Sequence, residues 1–371
     1  MINILLVLFV IGWFSPKISI FTNITASMQD FICLLILIKY LLTSKIKLVK
    51  LYTYEIIFCL ILFLISIKEL IFFDSLYGLF YSLRIASYIL VGSFIFADKK
   101  INHTKILYYS LILIFFILGL EVFNVLYYFL TKGFDLNIFL FGYDANLRVN
   151  NFFETGTTSI PLGYLAVILF AVSINLNKKF FILMSSLISL FTGSRGSWLS
   201  IIFVYFNALI SRRINSSKLM NLIFLIIAFF FIYFFYLKIF PTYNSIELDY
   251  SSSLRLTMFK SSIKESILNP MSLLFGNVIN PIILEKIVKF SFYESFNFHS
   301  LIQGGVLLFI LSFLIYYKNF KYLRYHQATY LIFGIIISNL LAGNNYFSVY
   351  SYPLMTIFFA YLNNKKNNLK N

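Results

Sequence analysis

The chain has 371 residues, 60% of them hydrophobic, with a mean hydropathy of +0.86 and a net charge of +16. Soluble domains average about 45–50% apolar residues, so these values exclude a water-soluble globular fold and point to a polytopic membrane protein. The positive charge does not signal nucleic acid, because its lysines and arginines fall mainly in short segments between apolar runs.

In chain order, the apolar runs predict about twelve membrane helices. Their approximate bounds are 2–14, 29–42, 54–73, 79–97, 106–130, 156–176, 180–193, 197–211, 219–240, 299–317, 328–343 and 348–362. Most are long enough to cross a hydrocarbon core of about 30 Å as a helix, and the first, seventh and eighth are short. The run Ile2–Phe14 has no basic leader and no small-residue cleavage site, so it reads as a retained span and not a removed signal peptide. The two cysteines, Cys33 and Cys59, fall within spans and read as buried thiols.

Basic residues recur at every second membrane exit: Lys45/Lys47/Lys50, Lys99/Lys100/Lys105, Lys178/Lys179, Arg212/Arg213/Lys218, Lys318/Lys321/Arg324 and Lys365/Lys366/Lys370. By the positive-inside rule these segments are cytoplasmic, and so are both termini. The expected fold is therefore all-α, a single integral membrane domain over residues 1–371. Two long segments face outward, residues 131–155 and the larger loop 241–298. Within the larger loop, Ser251–Ser253 precede Leu256, Phe259, Ile263 and Ile267 at helical spacing, which predicts an N-capped amphipathic helix on the membrane face, ended by Asn269-Pro270. No internal repeat emerges, which argues against an inverted-repeat transporter.

Four polar residues are not explained by topology: Arg84 inside the fourth span, Arg195 at the outward end of the seventh, Arg255 in the large loop and His299 where that loop re-enters the membrane. Arginine at mid-span costs about 2.5–3.5 kcal/mol on translocon scales. Each has a structural reading: Arg84 bonding backbone carbonyls between helices, Arg195 paired or snorkelling, Arg255 solvated, His299 simply interfacial. Their shared placement supports a chemical one. Arg195, Arg255 and His299 come from distant segments yet all fall at the outward face. Two guanidiniums there can clamp a pyrophosphate through bidentate bonds, and an imidazole can take a proton from an attacking hydroxyl. A lipid-linked pyrophosphate suits that depth, with its tail in the bilayer and its head at the aqueous boundary. Glu154, just before the sixth span, and Asn297 are further candidates for substrate contacts, together with Arg84. No closely spaced His, Cys and carboxylate set suggests a metal, and no Gly-x-x-x-x-Gly-Lys-Ser/Thr pattern suggests a nucleotide, so no cofactor is expected.

The segment Thr192-Gly193-Ser194-Arg195-Gly196-Ser197-Trp198-Leu199 resembles a motif of the O-antigen ligase and polymerase superfamily. The order of three later segments is similar to that superfamily too: Ser253-Leu254-Arg255-Leu256, then Asn269-Pro270 through Leu274-Phe275-Gly276, then His299-Ser300-Leu301-Ile302 with Gly304-Gly305. The resemblance covers roughly residues 150–350. It implies a metal-independent membrane glycosyltransferase of the C type, acting on undecaprenyl-pyrophosphate-linked oligosaccharides at the periplasmic face of the bacterial inner membrane. A chain-length regulator and a flippase are the implied membrane partners. Carried onto this chain, it makes Arg195 and Arg255 the pyrophosphate ligands and His299 the base. Ligase members often have Asn directly after the histidine, where this chain has Ser300. That departure favours an O-antigen (Wzy-type) polymerase over a ligase delivering glycan to lipid A-core; a lipid-linked oligosaccharide flippase is the rival from another class.

Overall fold

The computed structural model describes residues 2–21, 24–43, 53–98, 100–133, 159–193, 195–210, 270–288, 303–311, 314 and 352–368. The described chain is mostly helical. Its helices are α1 (Ile2–Ile11), α2 (Met28–Leu42), α3 (Thr53–Phe73), α4 (Tyr77–Ala97), α5 (His103–Lys132), α6 (Ser159–Asn175), α7 (Lys179–Phe191), α8 (Arg195–Ile210), α9 (Pro270–Phe275), α10 (Pro281–Val288) and α11 (Tyr352–Asn368). Residues 303–311 are also helical. Among the described residues, α3, α4 and α5 are long and apolar enough to cross a membrane. The 30 residues of α5 extend about 45 Å at 1.5 Å per residue, more than a hydrocarbon core requires. The predicted spans 219–240 and 328–343, and the amphipathic helix expected in the large loop, lie outside the described residues. Pro270 stands at the first position of α9, where its missing N–H costs no intrahelical bond.

One departure from an all-helical chain lies between α1 and α2. Strands Ile18–Phe21 (β1) and Ile24–Ala26 (β2) pair antiparallel, with Ile18 opposite Ala26 and an irregularity between Ser19 and Phe21. This hairpin returns the chain so that the end of α1 meets the start of α2. At that crossing a Cβ on Gly12 would press on the Gln29 backbone, and the Gln29 amide donates to the Phe9 carbonyl at 2.8 Å. Glycine is needed there for the approach.

Burial divides the helices. From Leu162 to Ile174, α6 is buried on all sides, packed against α7, α8 and α11; α11 itself packs on α4 and α5. A helix apolar all round belongs in an interior. By contrast, α2, α3 and α5 leave one face of large apolar side chains uncovered, including Leu34, Leu35, Leu60, Leu64, Phe116 and Phe123. In these positions such faces suit hydrocarbon and not water.

Among the described residues, the turns carrying Lys100, Lys105, Lys178 and Lys179 lie at one end of the bundle with the end of α11. There Tyr40 donates to Asp98 (3.3 Å), the Asn364 amide meets the His103 ring (3.1 Å), and the Lys178 ammonium stands 5.3 Å from the centre of the Tyr108 ring. The far end carries the β-hairpin, the α3–α4 turn and the α7–α8 turn.

Candidate functional site

The α7–α8 turn at the far end is closely wired. Gly193, at φ +65°, takes a left-handed conformation that lets α7 stop and α8 begin two residues later. The Ser189 carbonyl accepts both the Thr192 hydroxyl (2.7 Å) and the Trp198 indole N–H (2.8 Å), and the Ser189 and Ser197 hydroxyls bond across the turn at 2.9 Å. Ser189, Thr192, Ser197 and Trp198 are all fully buried. Four buried groups thus fix the turn from below, and Arg195 opens α8 as its first residue. The first N–H groups of a helix have no intrahelical acceptor and carry the positive end of its dipole. A guanidinium at that position adds to a local preference for anions. The side chain of Arg195 lies outside the described residues, and so do Glu154, Arg255, Asn297 and His299 entirely.

Arg84 is described, and it is paired. Its Nε meets Asp30 Oδ1 at 2.9 Å, and its Nη2 donates to Asp30 Oδ2 at 3.0 Å and to the Thr25 carbonyl at 2.6 Å. That is a fork on a carboxylate plus a bond to the hairpin backbone. The structural reading has Arg84 bonding backbone carbonyls between helices; the carbonyl it bonds belongs to strand β2, and the interhelical partner is the Asp30 carboxylate. Asp30 has further donors: the Ser27 backbone N–H (2.9 Å) and hydroxyl (3.1 Å) reach Oδ2, and the Tyr88 hydroxyl reaches Oδ1 (3.1 Å). The Ser27–Asp30 contact is one half of a capping box, with the third helical residue reaching back to the N-cap N–H.

Beside this pair lies a cavity of about 270 Å³ bounded by Ile20, Phe31, Leu34, Phe80, Leu83 and Arg84. Its walls are apolar and its polar edge is a neutralised ion pair, so an anion gains less here than at an unpaired guanidinium. Nη1 of Arg84 has no hydrogen-bond partner among the described residues. The pair ties α4, α2 and the hairpin together, with Arg84 30% and Asp30 19% exposed.

Asp30 was not singled out by the sequence, although Ser27-x-x-Asp30 ahead of an apolar run is a recognisable helix start. Glu69 was also missed; a carboxylate at position 17 of the 21-residue α3 was its signal. Among the described residues, no group of three or more His, Cys, Asp or Glu is placed to hold a metal ion. No family model matches this chain, and no curated protein matches it closely enough to count as a relative.

Proposed function

We propose that the protein is a surface-polysaccharide polymerase of the O-antigen type, a membrane glycosyltransferase joining undecaprenyl-pyrophosphate-linked repeat units at the periplasmic face of the inner membrane. The observation that carries this reading is the α7–α8 turn. In the resembling segment, Thr192, Ser197 and Trp198 are buried and hydrogen-bonded to Ser189, and α8 opens with Arg195, at the end of the bundle opposite the turns that carry Lys100 and Lys178. A corner so heavily braced suits a residue that must meet a fixed anionic group. The order of later motifs, Arg255 and then His299, supports the same chemistry.

In the reaction, a hydroxyl at the non-reducing end of a new repeat unit attacks the anomeric carbon of the growing chain. The bond from that carbon to the pyrophosphate oxygen breaks, and undecaprenyl pyrophosphate leaves. His299 takes the hydroxyl proton. Arg195 and Arg255 stabilise the charge gathering on the departing diphosphate, an effect worth about 2.7–4 kcal/mol for one well-placed donor. The glycosyl pyrophosphate bond supplies the driving force. A twelve-span bundle with cytoplasmic termini and a periplasmic loop 241–298 would present these groups to the carrier lipid, alongside a flippase and a chain-length regulator.

The test is a gel of surface polysaccharide. Arg195→Ala, Arg255→Ala and His299→Ala should each lose long chains while the protein stays in the membrane, and Arg195→Lys should lose them too if the fork matters. Normal chain length in the His299 variant would remove it as base. Deletion should leave single-repeat lipopolysaccharide. Full-length chains stranded on the carrier lipid would instead identify a ligase.

A further inference from the structure

The short strap 276–280, between α9 and α10, is fastened to the α3–α4 turn chiefly by the carboxylate of Glu69. Glu69 is fully buried near the end of α3. Its Oε2 accepts the backbone N–H groups of Ile279 (2.8 Å) and Asn280 (2.9 Å), and its Oε1 accepts the Ser75 hydroxyl (2.9 Å) and the Gly78 N–H (3.0 Å). All four donors are uncharged. A carboxylate has about four lone-pair sites, so this set fills them.

The strap is held by its neighbours as well. Lys68 Nζ donates to the carbonyls of Gly276 (3.4 Å) and Asn277 (3.2 Å). The Gln303 amide donates to the Ile279 carbonyl (2.9 Å), and the Asn277 N–H returns a bond to the Gln303 carbonyl (3.0 Å). Asn280 donates to Ser75 Oγ (2.9 Å) and accepts from the Ile282 N–H (2.9 Å), capping α10. Gly276, at φ +77°, runs so close to the Gln303–Gly304 backbone that a Cβ would collide with it. Closing the α3–α4 turn alone requires only Ser75 and Gly78. The other carboxylate oxygen is used by backbone 210 residues later in the chain.

We propose that Glu69 is a positioning residue. It clasps the 276–280 strap, and through Gln303 the start of the following helix, onto the α3–α4 turn, and so fixes the frame of the outward segment used in polymerisation. Gln303 is four residues beyond His299, which keeps the two backbones within roughly 14 Å. The positioning role rests on the polymerase reading; the clasp itself does not.

Hydrogen exchange with mass-spectrometric readout, on the full-length protein in nanodiscs, reads the clasp without substrate. In Glu69→Ala, amides in 277–283 should exchange at least about tenfold faster, while peptides from α6 and α11 keep their rates. Unchanged exchange in 277–283 overturns the clasp. Should Glu69→Ala not reach the membrane, Glu69→Gln keeps the bulk but replaces one acceptor oxygen with an NH2 group that cannot accept, and should still speed exchange about threefold; unchanged rates there overturn the clasp equally. Polymer length then reads positioning. Chains should shorten in Glu69→Ala, and adding Ser75→Cys with Asn280→Cys should restore them when oxidised and lose them again on reduction. A disulfide that forms and slows exchange but leaves chains short overturns the positioning role. Absence of polymer from the wild-type protein would sink the polymerase reading and the positioning role with it, leaving the exchange result to decide the clasp.

Discussion

Two carboxylates near the far end of the bundle are held in opposite ways. Asp30 is matched by a cation, the Arg84 fork, with hydroxyl and backbone donors filling in around it. Glu69 takes only neutral donors, while its neighbour Lys68 turns to backbone carbonyls. Both join chain segments that are distant in sequence, the hairpin and α2 to α4 in one case, the strap to α3–α4 in the other. The difference teaches what each joint can tolerate. An ion pair can be replaced as a pair, because removing both charges leaves nothing stranded. A carboxylate that organises four N–H and O–H groups has no single partner to remove with it.

The largest effect should come from breaking the ion pair on one side. Asp30→Ala leaves the guanidinium without its counter-charge and should cost about 3 kcal/mol of stability, the low end for a buried pair because these side chains are 30% and 19% exposed, read by denaturant titration of the purified protein in detergent. Asp30→Leu combined with Arg84→Met should recover most of that loss. A double variant as unstable as the single one would mean the pair does more than neutralise itself, and Nη1 would become the group to examine.

A smaller loss is expected at the clasp. Gln303→Leu preserves side-chain bulk but strands the Ile279 carbonyl, a buried acceptor, and should cost about 1–3 kcal/mol in the same titration. A cost below the experimental scatter would show that water reaches the strap, and the contrast with the Asp30 site would weaken.

Much of the helical frame was legible from hydrophobicity, because a membrane span is set by length and apolarity more than by partners. The expected spans 54–73 and 79–97 match α3 and α4 within two residues. The β-hairpin was not legible. Its strands have four and three residues, too short for an alternating pattern to stand out, and the bond from Arg84 to the Thr25 carbonyl comes from α4, 59 positions away. Asp30 and Glu69 were hidden for a related reason. The sequence shows a charge in or beside an apolar run, but its partners lie 54 and 210 positions away. Arg84 caught attention because an arginine is costly wherever it is unpaired; its carboxylate, in the first turn of α2, sits where a capping acid is ordinary and so carried no signal of its own. The corner at Gly193 was readable as a glycine-flanked arginine, whereas the serine and tryptophan bonds beneath it were not.

The smallest effect should come from Lys68, and it tests the contrast most directly. Lys68 and Glu69 are adjacent, and adjacent residues on a helix do not face each other. The ammonium is exposed and reaches the Gly276 and Asn277 carbonyls, not the carboxylate. If the neutral donors alone hold Glu69, then Lys68→Met removes two long, solvent-competed bonds and should cost no more than about 1 kcal/mol in the titration. The strap should also keep its slow hydrogen exchange. A loss approaching that of Asp30→Ala would mean the nearby positive charge, and not the neutral donors alone, holds Glu69 in place, and the two carboxylates would then be held by the same physics after all.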